Sequence, residues 1–106
     1  RGMLVLVVSV ETTRENIDGI REALETMQAA SRAEAGCRDY TFCVELNDPD
    51  KLRITECWED QTALEAHFAT PHMAAFNEAM AQAGQRSIEI SCYEATEIPF
   101  PIQLGR

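Results

Sequence analysis

Basic residues are scarce and never clustered. Nine Lys and Arg stand against 18 Asp and Glu in 106 residues, a net charge of −9. A surface of that sign repels phosphate backbones and anionic lipid headgroups, so neither nucleic acid nor a membrane is an expected partner. Long apolar runs are missing too. The longest, Met3 to Val8, falls far short of the roughly 20 residues a helix needs to cross a bilayer. No export signal precedes it, which points to a cytoplasmic location. Cysteine occurs four times, at Cys37, Cys43, Cys57 and Cys92, but never as C-x-x-C. The core is adequate without staples, so free buried thiols in a reducing compartment are expected. No glycine-rich phosphate loop, G-x-S-x-G or dinucleotide fingerprint is found, so no cofactor is expected.

What remains is an ordinary globular composition, 45% hydrophobic and 25% charged, in a length that suits one domain and one core. Arg1 and Gly2, ahead of Met3, read as extraneous to the fold. "MLVLVVSVE" (3–11) is a strand with both faces apolar, which predicts burial on both sides. "TTRENIDGIREALETMQAASRAEAG" follows as one long amphipathic helix. Thr12 and Glu15 stand at capping-box spacing, Ile17, Ile20, Leu24 and Met27 line the inner face, and Gly36 is the stop. "CRDYTFCVELN" alternates as a strand, with Tyr40, Phe42, Val44 and Leu46 on one face. "DPDK" (48–51) reads as a turn, and "LRITECWED" as the returning strand with Leu52, Ile54, Glu56 and Trp58 together. Asp60 can cap a short helix. Thr70 and Pro71 supply the cap and first position of another, with Met73, Phe76 and Met80 facing inward and Gly84 ending it. "RSIEISCYEATEI" is the last strand, and the apolar tail "PFPIQLGR" cannot be helical.

The order β-α-β-β-α-α-β is the split βαβ arrangement of ferredoxin-like α+β folds, an antiparallel four-stranded sheet with helices on one face. Residues 3–98 form the domain, and 99–106 a tail. Helices can cover one sheet face only, yet the first strand is apolar on both. A second copy packed sheet against sheet would bury the open face. A two-fold homodimer is therefore expected, with the tail lying across the partner.

The chemistry-bearing residues gather in "ECWEDQTALEAHFATPHMAAF" (56–76). Trp58, the single tryptophan, reads either as a core aromatic or as one wall of an aromatic ligand pocket. Glu56 shares its face, where a carboxylate is costly unless paired. His67 is the nearest candidate in sequence. A Glu56–His67 pair would fix the imidazole tautomer as a general base requires, and reads equally as a structural hydrogen bond. His67 and His72 are five residues apart across a helix break, and neither a cysteine cluster nor an Asp/Glu pair completes a zinc set, so no metal is expected. His72, second in its helix, can meet a ligand or cap its own helix.

The segments "EAGCRDYTF" and "ITECWEDQTALEAHFATPHMAAF" resemble the antibiotic biosynthesis monooxygenase family, and most closely its quinol-monooxygenase branch. The motifs are Glu-x-Gly-Cys, an aromatic strand, Glu-x-Trp, Ala-Leu-x-x-His and Thr-Pro-His-Met. The resemblance spans Met3 to Ile98 and implies a dimeric α+β barrel. It further implies oxidation of a small phenol or quinol to a quinone without metal, haem or flavin, molecular oxygen being the co-substrate. His67 and Glu56 would then be catalytic, and Trp58, His72, Tyr40, Phe42 and Phe76 would line the substrate. Asn77 stands where the haem-degrading branch has its axial histidine, and Ile54 where polyketide oxygenases carry asparagine. A non-oxidative alternative of the same fold is a small-molecule-binding stress protein or an isomerase.

Overall fold

The computed structural model describes residues 2–105; Arg1 and the last tail residue, Arg106, lie outside the described residues. The chain runs β1 (Met3–Glu11), α1 (Arg14–Gly19), α2 (Arg21–Arg32), β2 (Cys37–Glu45), β3 (Asp48–Trp58), α3 (Gln61–Phe68), α4 (Pro71–Ala83) and β4 (Ser87–Ala95). The strands form one antiparallel sheet in the order β2-β3-β1-β4. This is the ferredoxin-like α+β fold. No described helix is long and apolar enough to cross a membrane.

Period-two alternation sorts the sheet. Leu6, Val8 and Val10 of β1 pair with Glu56, Ile54 and Leu52 of β3, and all six side chains are buried beneath the helices. Ile17, Leu24, Met27, Phe76 and Met80 close the core from the helical side. The other face, with Val5, Val7 and Tyr93, is covered by no helix: Val7 and Tyr93 are exposed and Val5 only partly buried. The expected burial of β1 on both sides is thus not met within one chain. Edge strand β4 extends beyond the helices. Ile88 and Ile90 pair with Val10 and Val8, so they share the helical side, yet both remain exposed.

Four sequence expectations change. The long helix is two, broken at Ile20, whose backbone sits at φ −114. Gly19 precedes the break, a residue that weakens a helix interior by about 1 kcal/mol. The cap is Thr13, which accepts from the Asn16 N–H; Thr12 is instead buried and accepts from the Asn16 side chain. "DPDK" is not the hairpin turn. Asp48 already pairs with Glu45, so Leu46 and Asn47 make the turn and Leu46 is 97% exposed rather than facing inward. All four cysteines are free, but Cys43 and Cys92 are exposed instead of buried.

Candidate active site

Three separate elements bring together Glu34, His67 and His72. Glu34 sits in the turn between α2 and β2. Its N–H donates to the Ser31 carbonyl at 3.1 Å, and its own carbonyl accepts from the Cys37 N–H at 3.2 Å. Gly36 completes the turn at φ +82, a left-handed conformation that favours glycine. A Cβ there would lie 2.6 Å from the Ala63 Cβ, so the missing side chain also lets α3 approach the turn. Asp60 caps α3 by accepting from the Ala63 N–H, and His67 falls in that helix's last turn. Thr70 then clasps the two helices. Its hydroxyl donates to the His67 carbonyl at 2.7 Å and accepts from the Met73 N–H at 3.1 Å. Pro71 begins α4, and His72 is its second residue.

One carboxylate oxygen serves both imidazoles. Glu34 Oε2 lies 2.6 Å from His67 Nδ1 and 2.7 Å from His72 Nε2. Such short bonds to a carboxylate place a hydrogen on each of these nitrogens. The opposite nitrogens, His67 Nε2 and His72 Nδ1, are then the basic ones. The pair differs in access: the His67 side chain is 1% exposed and that of His72 21%, with Glu34 at 13%.

Aromatic rings pack around the buried imidazole. His67 lies 4.5 Å from Trp58 and 5.5 Å from Tyr40 between ring centroids. Tyr40 touches Phe42 at 5.4 Å, and Phe42 touches Phe76 at 5.6 Å. Trp58 and Tyr40 are fully buried, and neither lines any of the larger cavities. The expected aromatic pocket is therefore split. Phe42 faces a groove between α2 and β2 with Arg21, Leu24 and Gln28. His72 and Phe76 face a groove of about 290 Å³ between α2 and α4, with Met27 and Ala75.

Glu56 is where the sequence places it but does not hold His67. Its Oε1 accepts from the Trp58 indole N–H at 2.9 Å. Burial pushes its carboxyl above the ordinary range; the Trp58 hydrogen bond and nearby His67 oppose this, and Glu34 adds to it. The carboxylate that orients His67 is Glu34, 33 residues away in sequence. No local spacing announces that contact. The one available signal was the glutamate of Glu-x-Gly-Cys, at the helix end where the charged outer face gives way to a turn. Glu34 also gives the two histidines a third donor atom, an oxygen, that sequence spacing had failed to find.

The family model for antibiotic biosynthesis monooxygenases matches residues 3–79, which contain Glu34, His67 and His72. An uncharacterized protein of Synechocystis is 30% identical over 73 residues, covering 69% of this chain and 50% of that protein. The chain thus spans about half the length of the curated relative it matches. Among solved structures, a Deinococcus radiodurans protein provisionally named an antibiotic biosynthesis monooxygenase superposes with a TM-score of 0.84 at 25% identity, covering 94% of this chain and 99% of that one. A Pseudomonas aeruginosa protein superposes at 0.80 and 26% identity, covering 92% and 97%.

Proposed function

We propose that this chain, which belongs to the antibiotic biosynthesis monooxygenase family, oxidises a small phenol or quinol with molecular oxygen, using acid–base groups and no resident cofactor. The observation that carries the reading is the Glu34 carboxylate bridging two imidazoles beside an apolar groove. At about 290 Å³ the groove stands near the lower end of ligand-binding cavities, which suits a single small ring system.

His72, on the groove, is the group that meets the substrate. Its Nδ1 takes the phenolic proton, and Glu34 stabilises the resulting imidazolium. This is the role sequence reasoning gave to His67; burial moves it to His72 and leaves His67 as a positioning residue that fixes Glu34 from behind. The phenolate then passes one electron to dioxygen. Recombination forms a carbon–oxygen bond, and loss of one water leaves the quinone, so phenol plus dioxygen gives quinone plus water. Phe76 and Met27 supply the dry wall that keeps the anion from being solvated. The active unit is a homodimer: Val7 and Tyr93 stand exposed on the open sheet face, which a second copy packed sheet against sheet would cover, and the exposed Ile98, Phe100, Ile102 and Leu104 of the tail would lie across the partner.

Isomerisation is the second reading. The bridged imidazoles can shuttle a proton between two positions without a redox partner. Oxygen uptake separates the two. Chelator-treated protein is assayed with a panel of reduced quinols and dihydroxynaphthalenes, with catalase present. The proposal expects protein-dependent uptake above autoxidation. Tight ligand binding with no uptake across the panel would replace it with the non-oxidative reading.

A further inference from the structure

Glu34 Oε2, His67 Nδ1 and His72 Nε2 lie within 4.8 Å of one another, and they come from a turn and two helices locked together by Thr70. We propose that these three atoms form a binding site for one divalent transition-metal ion of the zinc type. Two imidazoles and one carboxylate are the donor set of open three-ligand zinc sites, whereas magnesium and calcium prefer all-oxygen shells.

Bonds of about 2.0–2.2 Å from an ion to each donor require donor separations of roughly 3.4 Å in a tetrahedral arrangement. The carboxylate oxygen now stands 2.6 and 2.7 Å from the two nitrogens. It must therefore retreat by less than about 1 Å, while the two nitrogens, no more than 4.8 Å apart, settle to the same separation, movements that rotation of the Glu34 side chain and of the partly exposed His72 accommodates. His72 is the most exposed of the three ligands, so the remaining coordination position opens on its side. The same opening lets the ion in. Trp58 and Tyr40 both pack against the buried His67 ring, so that ligand is held before the ion arrives.

Metal and substrate chemistry exclude each other at this site. An ion on His72 Nε2 displaces the hydrogen now shared with Glu34, and in the neutral ring that hydrogen moves to Nδ1. The nitrogen assigned above as the base is then no longer free to accept a proton. The ion is thus an inhibitor of the proposed reaction. That consequence rests on the function proposed above; the binding itself does not.

The test is calorimetric titration of chelator-treated protein with zinc chloride, and cobalt(II) absorption spectroscopy, on a Cys43→Ser/Cys92→Ser background that removes the exposed thiols. The expected result is one ion per chain. The cobalt spectrum should show nitrogen and oxygen donors without a thiolate band. His72→Ala and Glu34→Gln should each lower zinc affinity by more than the roughly 10–100-fold that loss of a mere outer-shell partner costs. His72 is partly exposed, so its alanine variant should fold, which circular dichroism verifies. No saturable binding, or equal affinity in the wild type and both variants, would overturn the site. Stoichiometric binding that leaves oxygen uptake unaffected would keep the metal site and refute His72 as the base.

Discussion

Glu34→Ala removes a carboxylate that two imidazoles share, and the two losses differ in size. His67 is 1% exposed, so its Nδ1–H loses its partner where water cannot replace it. An orphaned buried donor costs about 1–3 kcal/mol. His72 is 21% exposed, and its Nε2–H rehydrates at a cost near zero. Relief of a partly buried charge offsets some of the total. The sum is a destabilisation of about 2 kcal/mol, nearly all of it through His67. Urea unfolding followed by tryptophan fluorescence reads this directly, since Trp58 is the single tryptophan and packs on His67. With an m-value of about 1–3 kcal/mol/M for a small domain, the midpoint should fall by roughly 1 M. Glu34→Gln keeps one amide oxygen to accept from His67 and should lose about half as much. A double-mutant cycle should then give a coupling energy larger for Glu34–His67 than for Glu34–His72. An unchanged midpoint in Glu34→Ala, or equal coupling to both histidines, would refute the claim that His67 depends on Glu34.

Three further outcomes follow from other parts of the molecule. Burial raises the Glu56 carboxyl, so the folded state holds its proton to higher pH than the unfolded chain does, and stability falls as pH rises through that window; Glu56→Gln, which still accepts from Trp58, should show a smaller loss of stability between mildly acidic and neutral pH than wild type in paired urea titrations, and an identical loss would contradict this. Gly36→Ala forces φ +82 on a residue with a Cβ and drives that Cβ to 2.6 Å from Ala63; it should cost more than about 1–2 kcal/mol and disturb Glu34 next to it, and a thermal midpoint within error of wild type would show that the turn can yield. Tyr93 is 56% exposed on the open face of the edge strand; Tyr93→Glu places a charge in the expected sheet-against-sheet contact and should weaken association by more than about tenfold in sedimentation equilibrium, whereas an unchanged distribution would exclude this part of β4 from the interface.

Much of this architecture was legible because it depends on short-range rules. Two-residue periodicity placed Leu52, Ile54, Glu56 and Trp58 on one face, and all four are buried there. Asp60 and Thr70 cap the helices their side-chain chemistry suits, and Gly84 ends α4 at φ +73. The failures lie where local rules compete or do not reach. A continuous apolar spacing through Ile17, Ile20 and Leu24 hid the break, because Ile20 packs against the core from either geometry while its backbone leaves the helix. "DPDK" has turn composition, but the pairing of Asp48 with Glu45 draws it into the strand and leaves the turn to Leu46–Asn47. Glu56 stood two residues from Trp58 and looked like the partner of His67; the indole N–H claims it instead. Glu34 was invisible as a site residue because its partners are 33 and 38 positions away, and only the packing of α3 against the Gly36 turn brings them within reach.

The role proposed for His72, held by Glu34, is to take the proton from a phenolic substrate. Its most direct test is the oxygen-uptake rate of wild type and His72→Ala with the best phenol of the panel, in chelator-treated protein, with and without added imidazole. His72→Ala should lose roughly 10²–10⁴-fold in kcat, recover in part with imidazole, and change little in its unfolding midpoint. Wild-type uptake by His72→Ala would contradict it.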